Sequence, residues 1–354
     1  MKILDQYLIR QISLGLVTAT LVLMPLFSFL DLVEQLDDIG TGFYKTSDAF
    51  LYVLLTMPRR FIQISPFIAL LGNVAALGRL AMSLELISLR AAGFSPARVG
   101  MASLKVGLAL AVLIGILEFF VAPELQQRAI AHRASALEQS TEAGRNLGIW
   151  TRDDRQILRI SNLLHDTREA SVEILRLDTS GFLAEHIHAD GFEIINNKQW
   201  VLHNVTSKTI NDDNILLSRH DSLPWDTFLR PEQISTLTKS HDSLSPGELY
   251  QYIDHLRSTG QEAKVYTLTL WKKPGGILTM LGMLLLSVPF VFGSVRSGFA
   301  NRLVLAGITG IVVYLLDQIF SNAGLILDLN PVFVALAPGI LLILIARSWL
   351  LRMH

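Results

Sequence analysis

Six stretches of almost uninterrupted apolar sequence constrain this chain more than any other feature. They lie at about 12–36, 61–78, 99–122, 275–295, 303–326 and 331–349. A bilayer core about 30 Å thick takes roughly 20 helical residues to cross, and each stretch is near or above that length. A helix satisfies its own backbone hydrogen bonds, so it is the form such a segment takes in hydrocarbon. The expectation is an α-helical integral membrane protein with six transmembrane helices. The apolar share of the 354 residues, 51%, is concentrated in these runs. The first run continues from Ile12 to Leu36 with no small-x-small cleavage pattern, so it reads as a retained span rather than a secretory signal. The second is expected to start before 61, because FLYVLLTM at 50–57 is apolar too. Pro58, Arg59 and Arg60 are expected to mark a kink at the membrane surface.

Between the third and fourth runs, from about 124 to 270, the composition turns polar and the period moves towards two. Gln156–Ile160, Ser171–Leu177 and Trp200–Val205 alternate apolar with polar residues and are bounded by Asp, Asn, Gly and Ser. Asp190-Gly191 and Asn196-Asn197 read as tight turns. The segment is expected to form a β-sandwich or jellyroll-like all-β domain, inserted between helices 3 and 4. A helix is expected over 124–143. A second follows Ser245, with that residue as N-cap and Pro246 in the first helical position. The organisation predicted is 1–123 for three spans, 124–270 for the inserted domain, and 271–354 for the last three spans.

Charge carries information here by position. With 30 basic and 31 acidic residues the formal net charge is -1, which is no signature of nucleic-acid binding. Zero cysteines exclude disulfides and thiolate metal sites. One set of span ends carries Lys2, Arg10, Arg79, Arg90, Arg98, Arg296, Arg302, Arg347 and Arg352. The other carries Asp31, Glu34, Asp37, Asp38 and Asp48 against Lys45, and then Asp328. The positive-inside rule makes the first set cytoplasmic, which puts both termini inside and the 124–270 domain in a periplasm-like space. Trp271 and Trp349 fall at the expected interfaces.

The sequence has no G-x-x-x-x-G-K-[ST] phosphate loop, no H-E-x-x-H and no G-x-S-x-G. No catalytic residue and no metal site is expected. His186, His188, His203, His220 and His241 are read as solvated sheet faces rather than a ligand cluster. The loop between spans two and three says more. Residues 83–94 read as a short cytoplasmic helix: Ser83 caps it, Glu85 favours its N-terminal dipole, Arg90 its C-terminus, and Gly93 stops it. Leu86, Leu89 and Arg90 share a face. Such a helix either lies on the membrane surface or inserts as a peg into a soluble motor protein. Asp317, with Gln318 beside it, is an ionisable group within span five, where a charge is costly. A structural or gate role is expected there rather than a proton relay.

The pattern G-R-L-A-x-S-x-E-L-I-x-L-R-A-A-G-F-S at 78–95 resembles the coupling-helix segment of the LptF/LptG lipopolysaccharide-export permeases. Gly148-Ile149-Trp150, Leu268–Lys273 and Leu316-Asp317-Gln318-Ile319-Phe320 extend the resemblance over nearly the whole chain, and the last points to the LptG branch. The resemblance implies half of an ABC exporter. An LptF-like permease completes the pair, and two ATPase subunits dock beneath and use the ATP, while this chain binds no cofactor. A single-span LptC-like subunit and a periplasmic LptA-like bridge receive the lipopolysaccharide. It further implies that Glu85 meets a basic residue of the ATPase, that Leu86, Leu89 and Phe94 fill its cleft, and that spans one and five face the partner permease. A lipoprotein-release permease, which resembles four-span chains, and a membrane-anchored sensor or scaffold are the competing readings.

A phosphorylated lipid needs cations at the outer interface above an apolar cavity. Lys45, Arg59, Arg60, Arg128, Arg133, Lys272 and Lys273 are the candidates, set against ordinary interfacial snorkelling. The resemblance implies a lipid-contacting lysine pair after the first span, where this chain has Asp37 and Asp38. Either a divalent cation bridges these acids to the phosphates, or Arg59, Arg60 and the span-four lysines compensate for them.

Overall fold

A computed structural model of the chain describes residues 2–91, 93, 95–138, 149–153, 155–161, 170–179, 181–196, 199–211, 214–227, 243–258, 261–293 and 298–352. The helices of the first half are α1 (Lys2–Leu36), α2 (Thr46–Met82), α3 (Glu85–Ala91), α4 (Pro96–Ile116) and α5 (Ala122–Glu138). A single π-helical stretch, Leu117–Val121, joins α4 to α5. After the sheet come α6 (Pro246–Ser258), α7 (Lys264–Gly293), α8 (Phe299–Ile326) and α9 (Pro331–Arg352). Among the described residues, six helices are long and apolar enough to cross a membrane: α1, α2, the continuous third span Pro96–Leu137, α7, α8 and α9.

The helix α2 takes in the apolar 50–57 segment and runs unbroken through Pro58 and Pro66. The Pro58–Arg60 segment, where a kink is expected, thus lies inside one continuous helix. A proline removes one backbone donor, and packing against neighbouring helices holds the rest of the turn. The composition boundaries at 123/124 and 270/271 likewise fall inside continuous helices, because α5 prolongs the third span and α7 begins at Lys264.

The helices α2 and α7 form the centre of the bundle. Of their most apolar windows, 61% and 56% are buried, against 11% for both α1 and α8. Where helices approach closely, small residues permit it. A Cβ on Gly339 of α9 would lie 2.7 Å from Leu278 Cβ and 2.8 Å from the Thr279 nitrogen of α7. Deep in the bundle, fully buried Asn73 of α2 donates to Ser103 Oγ of α4 at 3.0 Å, to Ser287 Oγ of α7 at 2.6 Å and to the Leu284 carbonyl at 3.1 Å. One amide thus ties three spans, as a polar group in hydrocarbon requires.

The inserted domain is one curled antiparallel sheet in the order β1-β2-β3-β4-β6-β5, with β7 on the other edge of β6. The strands are β1 (Ile149–Asp153), β2 (Gln156–Ser161), β3 (Ser171–Leu177), β4 (Leu183–Ala189), β5 (Gly191–Asn196), β6 (Gln199–Asn211) and β7 (Asn214–Asp226). The alternation read from the sequence is visible in its core. Leu158, Ile160, Val172, Ile174, Ile187, Leu202 and Val205 face inward around Trp200. Trp200 stacks on Phe192 with centroids 4.5 Å apart and meets Trp225 edge-on at 5.5 Å.

Asp190-Gly191 is a bend and not a reversal. Strands β4 and β5 pair with the same edge of β6 in one unbroken register, His188 with Thr206 and Gly191 with His203. Opposite the bend, Asn204 takes a positive φ of 50°, which asparagine tolerates better than most side chains. Asn197 lies outside the described residues; on either side, Asn196 of β5 pairs with Gln199 of β6. Of the helix expected over 124–143, residues 124–138 are helical and 139–143 lie outside the described residues. Ser245 caps α6 reciprocally: Glu248 N–H donates to its Oγ, and its own N–H donates to Glu248 Oε2 at 2.8 Å.

Candidate functional site

The candidate residues gather at the two ends of the bundle. At the end away from the sheet, the short α3 is seated on the spans. Gly93, at a φ of +86°, terminates it as expected, and its N–H bonds to the Arg90 carbonyl. Ser83 does not act as a backbone cap; its hydroxyl donates to Glu85 Oε1 at 2.9 Å. The Tyr7 hydroxyl of α1 donates to Glu85 Oε2 at 2.6 Å. These two hydrogen bonds, Tyr7 first, hold the Glu85 carboxyl below its ordinary pKa. Nearby, Arg98 grips Asp5 in a bidentate pair, both contacts at 3.1 Å. The start of α1 is thus fixed to α3 and to the base of the third span.

The side chains of α3 divide differently from the expectation. Leu86 and Leu89 are buried in the bundle core, at 4% and 9% exposure. They anchor the helix and do not fill a partner's cleft. The outward face is Ile87, at 54% exposure, with Ser88 and Arg90, and Leu84 just before the helix is exposed at 62%. The Arg90 guanidinium also lies 5.6 Å from the Phe292 ring centre on α7. Phe94 lies outside the described residues. Two buried residues in seven leave a helix this short only one side to offer.

At the sheet end, five of the cations expected to meet a lipid, Arg59, Arg60, Arg128, Arg133 and Lys273, are ion-paired to carboxylates. Arg60 Nε donates to Asp31 Oδ2 at 2.7 Å, and its Nη2 completes a bidentate pair. Arg133 of α5 binds Asp38 through Nε at 3.2 Å and through Nη2, with its guanidinium 5.8 Å from the Tyr52 ring centre. Arg128 pairs with Glu124 one turn away and is exposed. Arg59 Nη1 and the Lys273 ammonium both bind Glu118 Oε1, the former at 2.9 Å. Lys272 is half-buried, and its charge acts on Asp317 across the gap between α7 and α8. Gln318 is half-buried beside it. Lys45 lines an open cleft of ≈ 410 Å³ with Phe43, Ser47, Asp48, His132, Ser135 and Ala136.

Asp38, an acid where a lysine is expected, therefore has a function in this chain: it neutralises Arg133 across the α1–α2 loop. Tyr44, buried under that loop, has its hydroxyl pKa pushed up by burial. Glu118 was missed from sequence, although it interrupts an apolar run as plainly as Asp317 does. Asn73 and Tyr7 were missed as well. The signal at Asn73 was a single amide in an apolar span; the role of Tyr7 had no signal outside the tertiary fold.

Comparison with known proteins bears on what these two ends serve. The model of the "Lipopolysaccharide export system permease LptF/LptG" family matches residues 6–353. The chain belongs to the LptF/LptG family. It is 32% identical over 351 residues to the lipopolysaccharide export system permease protein LptG of Haemophilus influenzae, covering 98% of both chains. It is 30% identical over 353 residues to LptG of Escherichia coli K12, covering 99% of this chain and 98% of that one.

Proposed function

We propose that this chain is the LptG-type permease subunit of an ABC transporter that extracts lipopolysaccharide from the inner membrane and passes it to a periplasmic bridge. The observation that carries the reading is α3: a helix seated on the spans by buried Leu86 and Leu89 that turns Ile87 and Arg90 outward, with exposed Leu84 just before it, in a chain whose sequence has no nucleotide-binding loop. A separate ATPase supplies the work and grips this helix. Its termini and α3 face the cytoplasm, in keeping with the basic residues at those span ends, and the sheet faces the periplasm. The uncovered apolar faces of α1 and α8 suit an LptF-like permease, two ATPase copies complete the motor, and an LptC-like subunit and an LptA-like bridge receive the lipid. Asp317 and Gln318, beside Lys272, form a polar element of the gate at that seam.

The decisive experiment is purification of the tagged chain from its own membranes, with identification of the bound subunits and measurement of ATPase activity in proteoliposomes. Co-purification of a second permease and an ATPase, with activity responsive to added lipopolysaccharide, is expected. A chain recovered alone, or an ATPase indifferent to the lipid, overturns the reading.

A further inference from the structure

The third span contains the one π-helical stretch among the described residues, and Glu118 lies in it, 5% exposed. A π turn carries an extra residue at a cost in backbone geometry, and such turns concentrate at functional sites. Its carboxylate joins three spans through a single oxygen, Oε1, which accepts from Arg59 of α2 and from Lys273 of α7. The side chains of Lys273 and Glu118 are 8% and 7% exposed, and that of Arg59 is 17% exposed. Glu118 lies 22 residues beyond Pro96, Arg59 lies 23 residues before Met82, and Lys273 lies 20 residues before Gly293. At 1.5 Å per residue all three stand about 30–35 Å from the α3 end, at the level of the opposite membrane surface.

Two cations converging on one atom in a poorly solvated place repel each other strongly unless an anion separates them. That position must therefore always hold an anion. A lipid phosphate carries more acceptor oxygens than a carboxylate and binds guanidinium and ammonium groups by charge-assisted hydrogen bonds.

We propose that Glu118 is an internal, displaceable counter-anion: it occupies the place between Arg59 and Lys273 until the phosphate of the transported lipid takes it over. This deepens the transport reading given above and rests on it. Displacement frees the π turn from α2 and α7. Because α5 continues directly from that turn towards the sheet, loading of the lipid is communicated to the inserted domain. Arg133 of α5, held by Asp38, provides a second point of attachment that orients this arm.

The test uses the complex purified from its own membranes, in nanodiscs. Binding is measured for fluorescent lipopolysaccharide with bisphosphorylated lipid A and for the same lipid after enzymatic dephosphorylation. Glu118→Gln is expected to tighten binding of the phosphorylated lipid about tenfold, the weight of one charge-assisted hydrogen bond lost by the competitor. Binding of the dephosphorylated lipid should stay unchanged, and lipid-stimulated turnover should fall because release is slowed. Arg59→Ala should abolish the preference for phosphate. If Glu118→Gln leaves the preference unchanged or lowers it in an intact complex, Glu118 is a structural ion-pair partner and the inference fails. Should Glu118→Gln not assemble, Glu118→Asp decides. It keeps the charge but reaches less far, so it should raise the preference about two- to threefold, roughly half the logarithmic effect of losing that bond; no rise overturns the proposal. A wild-type complex that binds neither lipid overturns the transport reading itself.

Discussion

Truncating the leucines under α3 should loosen the helix without unfolding the bundle, whereas changing its outward residues should spare the fold and lose the partner. A seven-residue helix has no stability of its own, since isolated helices below about 12 residues are marginal in water. It is held by Leu86 and Leu89 at 4% and 9% exposure, by the Tyr7–Glu85 hydrogen bond and by the stop at Gly93. Burial of a leucine contributes about 1.5–3 kcal/mol, and Leu→Ala in a packed core costs about 2–5 kcal/mol. One truncation therefore removes a large part of what seats α3, and Leu86→Ala with Leu89→Ala together remove about 4 kcal/mol or more. Hydrogen exchange over residues 83–93 reads this directly: protection should fall by tens-fold in the single variants and vanish in the double variant, with the spans unaffected. Ile87→Asp, at 54% exposure, should leave protection unchanged and reduce ATPase recovery in co-purification to background. Leu89→Asp is a poorer test of docking, because it buries a carboxylate and disturbs the seat itself. Unchanged exchange in Leu89→Ala, or full ATPase recovery with Ile87→Asp, would refute the assignment of inner and outer faces.

Three other outcomes are expected. Asn73→Leu should lower the thermal midpoint of the purified protein by an amount equivalent to about 1–3 kcal/mol, because it removes hydrogen bonds to α4 and α7 and leaves two serines and a carbonyl to find other partners; an unchanged midpoint would contradict the role of Asn73. Gly339→Ala should cost about 1–3 kcal/mol by forcing α9 from the Thr279 backbone of α7, measured in the same melt. Tyr7→Phe should raise the Glu85 pKa towards the free glutamate value of about 4.3, followed by carboxyl carbon NMR. The sign follows from a lowered pKa: the α1–α3 tie is fully present above the ordinary glutamate range and is lost as pH falls through the lowered value. In Tyr7→Phe that pH-dependent contribution should largely disappear.

The sequence determined this protein wherever the physical constraint is local. Apolar length prescribes a span, so all six were legible, and period-two alternation around Leu158, Ile174 and Leu202 prescribed strands with an inward face. Gly93 announced the end of α3 because a positive φ suits glycine, and Ser245-Pro246 announced the start of α6. What only the tertiary structure decided is which neighbour each side chain meets. On a short helix, Leu86 and Ile87 are equally apolar, and only the position of the bundle makes one an anchor and the other a contact surface. Asp190-Gly191 has the composition of a turn, yet β6 runs past it in unbroken register and keeps the chain straight on. Arg59, Arg60, Arg133 and Lys273 read as free cations awaiting a lipid; their carboxylates are 29 to 155 residues away in sequence and reach them only once the spans are packed. A charge in a membrane is settled by its partner, and the choice of partner belongs to the three-dimensional fold.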